Sequence, residues 1–171
     1  MSVLGELAAV FARLGVLAFG GGLGILPEMA RQVVGSRTWV TQREFMDAWA
    51  LSQVTPGPGM LMVVVIGYRV AGLAGATVAG LAMFGPPATL ATLVADRWAR
   101  WASGPTLRLL RRALAPVALG LLVAGCYTLA RLGVDGAATG ALALGALALC
   151  LAGLSPALVI ALGAVAGLAL R

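Results

Sequence analysis

The sequence predicts an all-α, polytopic membrane protein: one domain over residues 1–171 with about five or six membrane segments. Apolar residues make up 61% of the 171 residues and charged residues only 11%, whereas a soluble domain carries roughly 25% charged residues. Glycine and proline clusters at 19–24 and 55–59 interrupt apolar runs. Because a broken helix is tolerated in lipid only where protein or water surrounds it, some segments are expected to be broken or re-entrant half-helices.

The first apolar run, 3–26, is predicted to be the first membrane helix, ending at the glycine cluster and Pro27. It lacks the basic start of a secretory signal, so it is expected to stay in the protein. A polar connection over 28–40, which contains Arg31, Arg37 and Trp39, is expected to follow it.

A helix is predicted to begin at Thr41, because Thr41 and Glu44 have the spacing of a capping box. It must end at the Pro-Gly-Pro-Gly sequence 56–59, where proline removes donors and glycine frees the backbone. A second half-helix is predicted from Pro58 to about Tyr68. The stretch 42–70 is therefore either one broken crossing or a re-entrant hairpin, and the sequence leaves both open.

Residues 71–94 are predicted to cross again, with an interruption at Gly85-Pro86-Pro87, and an arginine-rich connection follows. Three further apolar spans are expected at 113–132, 136–153 and 156–170. If 42–70 crosses the bilayer, both arginine-rich connections lie on one side, which would be cytoplasmic. If it is re-entrant, they lie on opposite sides and insertion in both orientations is permitted.

The two breaks predict a binding site built from backbone. A helix N-terminus presents unpaired N–H groups and a partial positive charge, which suit an anion. The predicted substrate-binding residues are Gly20, Gly21, Gly22, Gln53, Thr55, Pro56, Gly57, Pro58, Gly59 and Arg69. The alternative is that the breaks only kink helices for packing and that Arg69 snorkels to the interface.

Other residue types narrow the function. Glu28 and Asp47 are candidates for proton coupling, although the Asp47 carboxylate, one turn into its helix, also suits the helix dipole. The chain has no His and two Cys, so no metal or cofactor is expected. A serine nucleophile would lack a histidine base, so an enzyme is not expected. The basic residues form no stripe on a soluble module, which argues against nucleic-acid binding.

Taken in order, these residues resemble the short-chain chromate ion transporter family. The resemblance covers about residues 8–95 and rests on Phe19-Gly20-Gly21-Gly22, Trp39-Val40-Thr41, Glu44-Phe45, Gln53-Val54-Thr55-Pro56-Gly57-Pro58 and Gly67-Tyr68-Arg69-Val70-Ala71-Gly72. It implies a multi-pass protein of the inner membrane that moves chromate or a related tetrahedral oxyanion such as sulfate. It also implies one half of an inverted-repeat transporter, paired as a homodimer or with a sister short chain, in an antiparallel arrangement where the halves have opposite topology.

The sequence departs from the family pattern at several positions. Gln32 stands where an acidic residue is common, Met62 where an Asn is frequent, and Gly24 and Gly59 replace bulkier residues. These departures motivate an alternative function, a structural half that does not itself transport and that supports a sister chain.

Overall fold

The computed structural model describes residues 2–18, 21–101, 105–134 and 136–169, and the regular elements in these ranges are all helical. The prediction of an all-α fold is confirmed. The chain divides into two compact units, Met1–Leu129 and Ala130–Arg171, and each is described by itself.

The first unit begins with α1 (Val3–Val16), α2 (Gly22–Ala30) and a π-helical segment, Arg31–Ser36, that continues α2. After a short connection come α3 (Gln42–Val54), a 3₁₀ turn (Gly59–Leu61) and α4 (Met62–Trp101). The last long helix is α5 (Pro105–Gly133). The second unit contains α6 (Ala137–Leu151) and α7 (Pro156–Ala169).

The first apolar run folds into a hairpin, so the prediction of a single crossing over 3–26 is wrong. The rings of Phe11 and Trp39 lie 6.4 Å apart, whereas a continuous helix would separate these residues by about 40 Å. The chain therefore reverses between Val16 and Gly22, where Gly21 has a φ of 93° that favours glycine. Residues 3–36 are called the first hairpin. The predicted polar connection is largely helical as well, since the helical backbone extends to Ser36.

A second hairpin is formed by residues 42–70. The capping box is present as predicted: the Thr41 hydroxyl accepts from the Glu44 N–H at 3.2 Å, and the Glu44 carboxylate accepts from the Thr41 N–H at 2.9 Å. At the other end of this stretch, Arg69 Nη2 lies 2.5 Å from Glu44 Oε1. The two ends of 42–70 are thus side by side. Of the two topologies that the sequence left open, the structure has the hairpin.

The helix α4 reverses direction at Ala71 and Gly72, whose φ angles are −147° and 59°. Its first arm, 62–70, and its second arm, 73–101, run antiparallel, and a β-carbon on Gly67 would clash with the carbonyl oxygen of Gly75. The second arm is about 43 Å long at 1.5 Å per residue, which exceeds the thickness of the hydrocarbon core of a bilayer. By length and composition, the apolar stretches that could cross a membrane, among the described residues, are Gly59–Ala95 and Arg112–Gly133. The reversal leaves residues 73–95 as the part of the first stretch that forms one continuous helix.

The second arm continues through Pro86 and Pro87, so the predicted interruption there is wrong. Because Pro87 has no N–H, the carbonyl of Met83 lacks its helical partner. That carbonyl faces α1, where a β-carbon on Gly15 would clash with its oxygen. The proline thus frees a carbonyl at a close contact between helices, where surrounding protein tolerates the lost bond.

The core of the first unit lies where α1 and α4 meet, with side chains of α2 and α3 completing it. Its largest fully buried side chains are Phe11, Phe45, Leu7, Leu26, Met29, Met62, Ile66, Val33 and Val63. In the second unit α6 and α7 pack together and line an apolar groove of about 390 Å³ with Ala, Gly, Leu and Val side chains. Helices α5, α6 and α7 correspond to the three predicted apolar spans.

Candidate functional site

The two predicted breaks meet in the structure. A β-carbon on Gly22, the first residue of α2, would lie 2.8 Å from the sulfur of Met60 and 2.9 Å from its Cγ. Met60 belongs to the 3₁₀ turn after the second break and is 7% exposed. The tips of the two hairpins are therefore in contact through the Met60 side chain, close to the N-terminal ends of α2 and of the first arm of α4. We call this contact the tip junction.

The two helical ends at the tip junction lack a side-chain cap from their own N-cap residues. Gly21 and Pro58, which precede these helical ends, provide no side-chain cap. The N–H of Gly24 bonds to the carbonyl of Gly21 at 3.2 Å, and the N–H of Leu61 bonds to that of Pro58 at 2.9 Å. The residues just before Gly24 and Leu61 are in the first turn of their helices, where the backbone N–H groups have no acceptor within the helix. The tip junction therefore joins two positive helix ends.

Several predicted residues lie at the second break, but their side chains differ in what they can reach. A β-carbon on Gly59 would lie 3.8 Å from Nε2 of Gln53, and this amide also donates to the Ser52 hydroxyl at 3.3 Å. The Thr55 hydroxyl donates to the carbonyl of Leu51 at 2.7 Å, so it bonds to its own helix. The connection Pro56, Gly57 and Pro58 is exposed.

Other predicted residues lie away from the tip junction. Arg69 pairs with Glu44 at the base of the second hairpin, about 15 Å along the helix from Gly59, so the structure does not bring it to the break. Asp47 is exposed on α3, near the same base, and Glu28 is partly buried on α2. Gly20 lies outside the described residues, whereas Gly21 and Gly22 are at the tip of the first hairpin.

The tip junction lies part-way along the second arm of α4 and part-way along α5. Gly15, near the tip end of α1, contacts Met83, which is about 15 Å from residue 73 and about 18 Å from Ala95 along the second arm of α4. A β-carbon on Gly125 would clash with the carbonyl oxygen of Leu23, and Gly125 is about 20 Å from Arg112 and 12 Å from Gly133. Residues 73–95 of α4 and the stretch Arg112–Gly133 therefore each pass the tips near their middle.

A second feature, which the sequence analysis missed, is a polar cavity of about 220 Å³ between α1 and α2. It is lined by Val10, Arg13, Leu14, Leu17, Glu28, Gln32 and Arg37. We call it the arginine cavity. The sequence of α1 is apolar apart from Glu6 and Arg13, and the arginine near its end was the available signal for the cavity.

Hydrogen bonds link three polar residues of the arginine cavity, Glu28, Gln32 and Arg37, and extend to the neighbouring Arg31. Glu28 accepts from Nε of Arg31 at 2.7 Å and from its Nη2 at 2.5 Å, one bond to each carboxylate oxygen. Gln32 donates to Glu28 at 2.8 Å and accepts from Nη1 of Arg37. The guanidinium of Arg37 also lies 5.4 Å from the ring centroid of Trp39. Arg37 is thus held by an amide and an aromatic ring.

The ion pair at the base of the second hairpin involves a carboxylate with a shifted pKa. Hydrogen bonds from the backbone N–H and the hydroxyl of Thr41 lower the pKa of Glu44, and the nearby Arg69 lowers it further.

In the described ranges, no cluster of His, Cys, Asp and Glu could hold a metal ion.

Comparison with known proteins gives a consistent set of relatives. The family profile described as chromate transporter matches residues 5–168. The chain is 34% identical over 149 residues to a chromate transport protein of Cupriavidus metallidurans, a match that covers 87% of this chain and 37% of that protein. It is 33% identical over 130 residues to a probable chromate transport protein of Synechococcus elongatus, covering 76% of this chain and 33% of the relative.

A third relative, an uncharacterized transporter of Bacillus subtilis, is 33% identical over 78 residues, covering 45% of this chain and 40% of that protein. The chain spans roughly a third of the length of the first two relatives, 37% and 33%. No solved structure shows significant similarity to it.

Proposed function

Since this chain belongs to the chromate transporter family, we propose that it moves chromate, or a related tetrahedral oxyanion such as sulfate, across a membrane. The family is one of membrane transporters and not of enzymes. The inner membrane is the proposed location.

We propose that the anion binds at the tip junction. The observation that supports this most directly is the contact between Gly22 and the Met60 side chain, because it joins the two hairpin tips close to two helix N-termini whose N-cap residues provide no side-chain cap. N–H groups at such ends attract an anion without placing a fixed full charge in the membrane. The nearby amide of Gln53 can add a donor. Under this proposal Gly20, Gly21, Gly22 and Pro56–Gly59 shape the site by letting the backbone approach the anion.

The depth of the tip junction is consistent with this role. If the second arm of α4, residues 73–95, and Arg112–Gly133 cross the bilayer, the contacts at Met83 and Gly125 bring the hairpin tips to about the middle of the hydrocarbon core. Transporters with discontinuous helices bind their substrates near the midplane, where access can alternate between the two sides. The hairpins would then be re-entrant, with their bases toward one face.

Two further parts of the proposal concern the assembly and the driving ion. The chain is proposed to act as half of an inverted-repeat transporter, with a second copy or a sister chain in antiparallel orientation. For proton coupling, Asp47 is the better candidate, because Glu28 is bound through both oxygens to Arg31 and protonation would break that pair. Uptake by Asp47→Asn and Glu28→Gln, with and without a pH gradient, separates the two.

The test is chromate and sulfate uptake into proteoliposomes by the purified chain and two glycine variants. Gly22→Val places a branched side chain against Met60 and is expected to reduce uptake at least 10-fold, with insertion unchanged. Gly120→Val is the matched control, since a β-carbon on Gly120 meets no other atom within 4 Å. Unchanged uptake by Gly22→Val would contradict the tip-junction site. Absence of uptake by the parent chain alone, with uptake restored by a sister chain, would instead favour the structural-half alternative.

A further inference from the structure

We propose that the arginine cavity is a second oxyanion site, distinct from the tip junction, in which Arg13 and Arg37 hold a tetrahedral dianion. Binding at this site does not depend on the tip junction. Its role as an entry site for transport rests on the proposed function above.

The charges around the cavity leave a net attraction for an anion. Three arginines, Arg13, Arg31 and Arg37, are near one carboxylate, Glu28, so the formal sum is +2. Arg31 bonds to both oxygens of Glu28 and largely neutralises it. Within the described part of the chain, the ion pairs are Arg31–Glu28 and Arg69–Glu44. Arg13 and Arg37 thus keep donors that no carboxylate there uses. A guanidinium presents its donors as a planar fork, which suits the oxygens of a tetrahedral oxyanion.

The backbone of α2 brings Arg37 into the cavity. The N–H of Arg37 bonds to the carbonyl of Gln32 at 3.1 Å, five residues earlier, which is the spacing of a π-helix. This wider turn returns Arg37 to the side of α2 that carries Gln32 and Glu28. Single π-helical turns are frequent at functional sites. The structure therefore gives a local reason why Arg37 faces α1.

Two neighbouring side chains fix the Arg37 guanidinium in advance. Gln32 accepts one of its hydrogen bonds, and Trp39 lies under it at 5.4 Å. Trp39 is in turn placed by its contact with Phe11 of α1, 6.4 Å between ring centroids. A guanidinium already held in position loses less conformational entropy when it binds a ligand.

The cavity is also in a position to serve the tip junction. Its lining extends from Arg37, which follows the π-helical segment, to Leu17, which follows α1 at the tip of the first hairpin. Its volume of about 220 Å³ is several times the roughly 30 Å³ that one water occupies in the liquid. An oxyanion with part of its hydration shell therefore fits between the base of the hairpin and its tip.

The test is equilibrium binding of radiolabelled sulfate, and of chromate in competition, to the purified full chain in detergent at constant ionic strength. We expect Arg13→Gln to weaken one class of sites at least 10-fold. Arg43→Gln is the matched control, because Arg43 is an exposed arginine of α3 outside the cavity, and it is expected to bind as the parent does. Gly22→Val is expected to retain the cavity site. Binding by Arg13→Gln that equals that of Arg43→Gln would overturn the proposal.

Two further measurements protect the test from misfolding and from non-specific charge effects. Arg37→Lys keeps the positive charge but loses the fork, so we expect weaker sulfate binding with an unchanged melting temperature. Equal affinity of Arg37→Lys and the parent would count against recognition by the guanidinium. Chloride at the same ionic strength should compete far less than sulfate, and equal competition would show a merely cationic surface.

In uptake assays Arg13→Gln should raise the half-saturating concentration more than it lowers the maximal rate.

Discussion

Glu44 and Arg69 are 25 residues apart in the sequence, and their side chains form an ion pair at 2.5 Å. A continuous helix would separate them by about 37 Å. The pair therefore closes the base of the second hairpin and places the Pro-Gly-Pro-Gly break at its tip. The first hairpin also folds back on itself, since Phe11 of α1 contacts Trp39, which follows the π-helical segment. Two hairpins whose tips meet at Gly22 and Met60 form the centre of the first unit.

This geometry can be checked by cross-linking. In a chain with Cys126 and Cys150 replaced by serine, Glu44→Cys with Arg69→Cys should be joined in high yield by a short bifunctional thiol reagent. The physical reason is that both positions lie at the base of one hairpin. Proteolysis between the two positions, followed by gel electrophoresis, reports the product.

The matched control for the cross-link is Glu44→Cys with Leu61→Cys, which pairs the base of the second hairpin with its tip. It should give little product, because α3 separates the two ends by about 15 Å or more. A high yield for the control and a low yield for the base pair would contradict the hairpin.

The stability of the first unit should depend on pH through Glu44. Because the bonds from Thr41 lower the pKa of Glu44 from its ordinary 4.5 in the folded state, the unfolded state binds the proton more readily at low pH. The stabilisation is therefore complete above about pH 4.5 and is lost as the pH falls below that value. Melting temperatures measured from pH 6 down to pH 3 should fall less steeply for Glu44→Gln than for the parent chain.

Glutamine keeps the side-chain acceptor of the capping box, so Glu44→Gln removes the charge and preserves the cap. Glu6→Gln, which changes a carboxylate outside this capping box, should retain the pH slope of the parent. The same slope in all three proteins would show that Glu44 does not contribute to the pH dependence.

The close approach of α5 to the first hairpin should be sensitive to side-chain size. Gly125→Leu is expected to lower stability by about 1–3 kcal/mol, as overpacking of a tight contact does, because a β-carbon at Gly125 would clash with the carbonyl of Leu23. Gly120→Leu changes the same helix at an exposed position with open space and should leave the melting temperature nearly unchanged. Thermal unfolding in detergent measures both, and equal effects would argue against the contact.

The hairpin also changes what the arginines predict for membrane orientation. With 42–70 folded back, Arg31, Arg37, Arg43 and Arg69 fall on the side of the hairpin bases. Five arginines lie around the connection from α4 to α5: Arg97 and Arg100 in the last turns of α4, and Arg108, Arg111 and Arg112 in the first turns of α5. Four arginines against five give little orientational bias by the positive-inside rule. We expect the chain to insert in both orientations.

A single cysteine at the exposed Thr38, in a chain without Cys126 and Cys150, makes the orientations measurable. An impermeant thiol reagent added to sealed vesicles should label about half of the chains, because similar numbers of arginines on the two sides give little preference for one orientation. Removing Arg31 and Arg43 together should shift the labelled fraction strongly, whereas Arg13→Gln should shift it less, because Arg13 lies on α1 away from the hairpin bases. Complete labelling, or none, in the parent chain would refute the mixed orientation.

Local chemistry made much of this protein predictable from its sequence. Apolar composition indicated membrane helices, the Thr41–Glu44 spacing fixed the start of α3, and Pro56 ended that helix near Val54. These features depend on dihedral preferences and on hydrogen bonds between residues a few positions apart, which a sequence displays directly. The break at the glycine cluster was visible for the same reason, and it remained a prediction that such breaks form a binding site.

Only the tertiary structure decided what the breaks do to the path of the chain. Glycine and proline release the backbone from a helix, but they do not set the direction in which it continues. That direction depends on contacts between distant residues, such as Phe11 with Trp39 and Glu44 with Arg69. The same contacts moved Arg69 away from the predicted site and brought Arg13 and Arg37 to one cavity, which no local pattern could indicate. The sequence by itself thus determined where the helices break, and long-range packing determined that the broken ends meet.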